Sequence, residues 1–188
     1  SCGVQRPLNG PWQDPIPSSP QVDIGSIPKP PYALKIEDFV FYEEPEILTD
    51  AQRRLHSDVE FLSSGACDGR EFGTRGCVEA SRHIYRKMQE TGLNPRIQTF
   101  RCNERIGRNI IGEIPGTGKD FIILMPYYDG IGNINGNFYP GADSNASGIA
   151  ALLEIARRLS DGGRCSIVVA ALDAHYRNMS GAQALSKE

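Results

Sequence analysis

Phe121-Ile122-Ile123-Leu124-Met125 and Ile167-Val168-Val169-Ala170-Ala171-Leu172 are two short apolar runs. Between them Ile149, Leu152, Leu153, Ala156 and Leu159 recur at helical spacing. Continuous apolar runs of this length are what strands buried on both faces require, and an amphipathic helix joins them. Strand, helix and strand at these lengths form a right-handed crossover between parallel strands, so the reading is an α/β fold. The segment Gly130 to Gly141, rich in Gly and Asn, reads as a loop leading to the helix.

Upstream, Thr49 or Asp50 can cap a helix carrying Ala51, Leu55, Val59 and Leu62. A Gly-bearing loop, Ser64 to Gly76, precedes a second helix with Cys77, Ala80, Ile84 and Met88 on one face, stopped by Gly92. Arg96–Phe100 and Asn109–Ile114 read as strands separated by a polar turn, and Pro115-Gly116-Thr117-Gly118 as a turn. The organisation expected is therefore 48–188 as an α/β domain preceded by 1–47. Residues 1–32 hold eight of the thirteen prolines and read as a tether, although Trp12 and Ile16 leave room for an arm packed on the domain. Lys35 to Asp50, with six acids around Phe39-Val40-Phe41-Tyr42, is an acidic lead-in.

Composition narrows the function classes. The formal charge of −3, from 20 Lys+Arg and 23 Asp+Glu, leaves no basic field for nucleic acid. No apolar run approaches the roughly 18–20 residues that span a bilayer. The five cysteines form no CxxC pair and no zinc-knuckle spacing. Ser1-Cys2-Gly3 before a Pro-rich stretch is the pattern around a bacterial lipidated cysteine, so a lipid anchor at Cys2 and an envelope location, periplasmic or surface, are expected; otherwise the chain is secreted. In an oxidising compartment Cys67 and Cys77 could pair, and the sequence does not decide it.

In open α/β sheets ligands bind beyond the carboxyl ends of the strands. Those ends are Tyr127-Tyr128-Asp129 and Asp173-Ala174-His175-Tyr176, with Gly141-Ala142-Asp143-Ser144-Asn145 opening the helix between them. Asp129, Asp143, Asp173 and His175 then form a candidate metal or acid/base site. The plainer reading makes Asp143 and Asn145 helix caps and Asp129 part of a turn.

These residues carry a resemblance. Leu62-Ser63-Ser64, Gly69-Arg70, Gly73-Thr74, Gly76 and Gly92-Leu93 with Pro95 resemble the opening of the M-28 family of zinc aminopeptidases, kin of the glutaminyl cyclases. Arg108-Asn109-Ile110-Ile111-Gly112-Glu113-Ile114-Pro115-Gly116 and Pro140-Gly141-Ala142-Asp143-Ser144-Asn145-Ala146-Ser147-Gly148 resemble its next two blocks. About two thirds of the chain, Leu62 to Ala184, is covered. The resemblance implies a three-layer α/β/α fold with a mixed, largely parallel sheet, zinc-exopeptidase-like (phosphorylase/hydrolase-like) and truncated at the C-terminus.

It also implies where zinc chemistry would sit. The family's His ligand falls on Tyr127, two residues before the retained Asp129. Its bridging carboxylate falls on Ser144, next to the retained Asp143. Its Glu-Glu pair, base then ligand, falls on His175 and Tyr176. Its two remaining ligands lie beyond Glu188. A serine hydroxyl and two phenols are neutral, weak ligands that do not replace carboxylate and imidazole. His175 could accept a proton, but water beside it would lack a metal to acidify it. No catalytic residue or cofactor is therefore assigned, zinc being the cofactor of the related family.

The expected function is a binding or accessory one, with Tyr127, Tyr128, Asp129, Tyr139, Asp143, Ser144, Asp173, His175 and Tyr176 around the crevice, facing a peptide or small molecule. Two alternatives stay open: a hydrolase with a single metal on Asp129, Asp143, Asp173 and His175, and a scaffold completed by another chain or a second copy through an unpaired sheet edge. Gly116-Thr117-Gly118-Lys119 lacks the leading Gly and final Ser/Thr of a phosphate loop. No Gly-x-Ser-x-Gly nucleophile elbow occurs. His56 and His83 read as solvated or packed helix residues. Asn145-Ala146-Ser147 and Asn178-Met179-Ser180 match a glycosylation sequon of a length common by chance.

Overall fold

The computed structural model describes residues 48–188. The expected tether and acidic lead-in of residues 1–47, with Cys2, Trp12 and Ile16, lie outside the described residues.

Helix α1 (Asp50–Ser63) starts at Thr49, whose hydroxyl accepts from the Gln52 N–H while the Gln52 side chain accepts from the Thr49 N–H. This reciprocal box satisfies two backbone donors that every helix start leaves open. Thr74 caps α2 (Arg75–Glu90) by one bond only, its hydroxyl accepting from the Cys77 N–H, and Gly92, at φ +85°, follows the α2 C-terminus. Cys77, Ala80, Ile84 and Met88 are all buried, as their spacing requires.

Strands β1 (Arg96–Cys102) and β2 (Arg105–Ile114) form a hairpin across Asn103-Glu104, with Asn103 at positive φ. The turn is too short for anything but antiparallel pairing. After β3 (Phe121–Leu124) come a small hairpin of β4 (Gly132–Ile134) and β5 (Asn137–Tyr139), then α3 (Ser147–Arg158), β6 (Ser166–Ala171) and α4 (Ser180–Leu185). The main sheet runs β1-β2-β6-β3. Side chains alternate between its faces, as the pleat demands. Ile110, Ile114, Ile167, Val169 and Ala171 join Leu62, Ile84, Ile149 and Leu153 in one core, while Ile111, Ala170 and Leu172 pack with Ala182 and Leu185. Helices α1–α3 thus cover one face and α4 the other, giving three α/β/α layers with a mixed sheet.

Two expectations change. Among the described strands only β3 and β6 pair in parallel, the β1–β2 and β2–β6 pairs being antiparallel, so this part of the sheet is not largely parallel. The parallel part is the β3–α3–β6 crossover alone. And β3 is not buried on both faces: it lies at the sheet margin, with Phe121 67% and Ile123 43% exposed. The loop expected over 130–141 contains the β4–β5 hairpin, turned by Asn135-Gly136 at φ 52° and 83°. No helix among the described residues is long and apolar enough to cross a membrane.

Candidate ligand crevice

Past the carboxyl ends of β3 and β6 the two strands stay in register. The Tyr128 N–H donates to the Leu172 carbonyl at 2.8 Å and the Leu172 N–H to the Pro126 carbonyl at 2.9 Å. Tyr127-Asp129 and Asp173-Tyr176 therefore run side by side, and the Gly141–Asn145 segment meets them.

Arg70 ties this region together from below. Its side chain is wholly buried, and its guanidinium donates to the carbonyls of Tyr128 (2.8 Å), Pro140 (2.9 Å), Gly141 (2.8 Å) and Leu62. No carboxylate pairs with it among the described residues, and burial lowers its pKa. Five N–H donors in a fixed fork are what four convergent carbonyls can satisfy. Gly141 must be glycine here: at φ +65°, an added Cβ would lie 2.7 Å from the Arg70 guanidinium. Arg70 was not singled out as a site residue from the sequence. Its clue is an arginine in a Gly-rich loop, which by itself reads as solvated.

Asp129 is fully buried and accepts from the His175 N–H at 2.8 Å and the Tyr176 N–H at 3.2 Å. Burial pushes its carboxyl up to about 6, against the lowering effect of those two donors. Asp173 is buried too. It accepts from the backbone N–H groups of Arg108 and Ala174 and from the Cys77 thiol, and burial raises its pKa. Asn109 was likewise missed: its amide donates to the Gly181 carbonyl and accepts from the Asp173 N–H, fixing the start of α4 beneath the site.

The three positions that fall on the family's ligands do come together. The Ser144 hydroxyl lies 3.1 Å from the Tyr127 hydroxyl and 2.9 Å from the Tyr176 hydroxyl, hydrogen-bonding to both. His175 stacks flat on Tyr127, centroids 3.8 Å apart and planes 8° apart. Tyr176 stands edge-on to both rings. Asn145 completes the shell, donating its amide to the Tyr127 carbonyl at 3.1 Å. Beside the stacked pair, a cavity of about 230 Å³ is lined by Met125, Tyr127, Leu172, Asp173, His175 and Met179 among others.

Three expected crevice residues make no side-chain hydrogen bond to the Tyr127–Ser144–Tyr176 cluster among the described residues. Tyr128 is in the core, 1% exposed, its hydroxyl donating to the Arg108 carbonyl at 2.8 Å; alternation along the extended chain turns it away from Tyr127. Tyr139 sits on β5, 42% exposed, and makes no side-chain hydrogen bond to the cluster among the described residues. Asp143 is exposed and caps nothing. The chain makes a π-type turn over Ala142–Ala146, and α3 begins only at Ser147, with no side-chain cap.

Zinc does not fit this donor set. The hydroxyls at the ligand positions are neutral and hydrogen-bonded to one another. Both Asp129 oxygens and both Asp173 oxygens are taken by internal donors. Among the described residues no group of three or more His, Cys, Asp and Glu side chains could hold a metal, so Asp129, Asp143, Asp173 and His175 do not converge as ligands.

Outside the crevice, His83 is packed, its Nε2 2.9 Å from Asp58, and exposed His56 lies 3.8 Å from Glu60. Cys67 and Cys77 are free thiols. Asn145, in the first sequon, has its side chain committed inward.

Residues 109–188 match Peptidase family M28. Among solved structures, the chain is similar to a glutaminyl cyclase of Bacteroides thetaiotaomicron bound to N-acetylhistamine, at 25% identity and TM-score 0.55 over 66% of this chain and 47% of that one. It is similar to the same degree, 25% identity and TM-score 0.55 over 66% and 47%, to a leucine aminopeptidase precursor from Bacteroides thetaiotaomicron. A Zn-dependent exopeptidase from Parabacteroides distasonis shares the fold at 20% identity and TM-score 0.54, over 66% of this chain and 47% of that one. The chain thus spans about half the length of these structures, 47% in each case. No curated protein sequence matches it.

Proposed function

We propose, for a chain whose residues 109–188 match Peptidase family M28, a binding function in place of peptidase chemistry. The observation that carries this reading is the Tyr127–Ser144–Tyr176 cluster: the side chains at three metal-ligand positions satisfy one another. A zinc ion entering there would have to break these contacts and would gain only neutral oxygen donors. The position of the family's general base carries His175, stacked on Tyr127. A rigid, aromatic surface with polar tips remains, of a kind suited to recognising a peptide or small molecule. In the same proposal the module acts as an accessory protein of a bacterial envelope, held by a lipid anchor at Cys2.

The test is metal content and turnover together. After dialysis against zinc, elemental analysis should find well below one zinc per chain, and aminoacyl chromogenic substrates should turn over no faster than in buffer. Tyr127→His should restore neither, since one imidazole still lacks its carboxylate partners. Near-stoichiometric zinc, removed by chelator with loss of stability, would overturn the reading.

A further inference from the structure

Tyr176 also borders a second concavity, of about 380 Å³, lined by residues of the β4–β5 hairpin, of the Glu71-Phe72 segment and of the segment entering α4. Its lining combines the apolar Phe72, Ile131 and Ile134 with the polar Glu71, Asn133, Asn135 and Arg177. Ile131 and Ile134 are 40% and 48% exposed, so apolar surface is left open at the rim.

Glu71 and Arg177 are the charged residues that line this groove. Glu71 is approached by two guanidinium groups, Arg177 at 3.2 Å and Arg105 at 3.8 Å. Arg105 is engaged a second time, donating to the Phe72 carbonyl at 2.7 Å. Arg177, which lines the groove, hydrogen-bonds through its side chain only to Glu71 among the described residues, so most of its five donors have no protein partner there. Glu71 is held in place by the hairpin, because Gly132 has no Cβ; one added there would fall 2.6 Å from the Glu71 side chain. Arg105 meets Glu71 without lining the groove, so the Glu71 charge is divided between two guanidinium groups and does not fully offset Arg177 beside the two isoleucines and two asparagines.

We propose that this groove binds a ligand ending in an apolar residue and a free carboxylate, as the C-terminus of a peptide does. The carboxylate takes the open fork of Arg177, the apolar side chain lies on Ile131 and Ile134, and the Asn133 and Asn135 amides meet the peptide group. A site of this volume suits a two- or three-residue end. Tyr176 belongs to both the groove and the aromatic cluster, so the proposal deepens the binding function above and rests on it.

The test uses the peptide N-acetyl-Ala-Leu-Leu with a free C-terminus, and the same peptide as its C-terminal amide, titrated into ¹⁵N-labelled protein. The acid should move the amide signals of Gly130–Asn135 and Tyr176–Arg177 and bind at least about tenfold more tightly than the amide, with the gap narrowing as salt rises. In Arg177→Gln, an exposed position whose loss leaves the core intact, the two peptides should bind alike; Arg177→Lys should keep part of the preference. Equal binding of acid and amide to the wild-type chain, or no movement of the groove signals, overturns the proposal. Stoichiometric zinc with the groove response intact would instead sink the non-peptidase reading and leave the groove standing.

Discussion

Asp129 receives two backbone N–H groups and is still held in a costly state, because burial outweighs them and lifts its carboxyl to about 6. Its folded pKa is thus above the unfolded value of about 3.9. Its contribution to stability is full below that unfolded value and is lost as pH rises through about 6. The difference amounts to about 3 kcal/mol at most, an order of magnitude for a group so buried. Asp173, raised for the same reason, acts with the same sign. Urea unfolding at pH 4.5 and pH 7 should show wild type losing more stability over that interval than Asp129→Asn; equal slopes would mean that Asp129 is ionised at little cost. The sequence located Asp129 at a strand end and paired it with the right segment. Its environment was not readable there, because both donors come from residues 46 and 47 positions later and the burial from a sheet face.

At the scale of elements, the starts of α1 and α3 behave differently although both offer a polar residue at the right place. Thr49-Asp50-Ala51-Gln52 carries a cap and its reciprocal partner three residues on, a local pattern that needs no tertiary help. Asp143 has the same local chemistry, but Ser144 and Asn145 leave helical φ/ψ and turn their side chains to Tyr127 and Tyr176, so the helix starts after the acid. Thr49→Ala should therefore cost about 1 kcal/mol, whereas Asp143→Ala should stay within about 0.5 kcal/mol. Thermal melts of both variants check this; a larger loss for Asp143→Ala would show that the acid stabilises the turn after all. The β4–β5 hairpin escaped notice for a related reason. Its strands are three residues each, too short for alternation to show, although Asn135-Gly136 is itself a strong two-residue turn signal.

At the scale of the whole described domain, the layers followed from periodicity, but the position of β3 in the sheet did not. An apolar run looks the same in a central strand and at a margin, because the pattern records which side chains avoid water and not how many neighbours the strand has. Here, among the described residues, β3 hydrogen-bonds only to β6, and Phe121, Ile122 and Ile123 are 67%, 49% and 43% exposed. Natural edges of this kind are usually blunted by a lysine, a proline or a bulge within the strand. Phe121–Leu124 has no charge or proline of its own. The free edge should then pair with another strand in solution, either from a second copy or from another polypeptide. Sedimentation velocity of this 188-residue chain alone should show mass rising with concentration. Ile123→Lys should lower that association while leaving the melting temperature nearly unchanged, since the side chain is already 43% exposed. A wild-type chain that stays monomeric across the concentration range would show that β3 is covered by other means and would remove the sheet edge as an interaction surface.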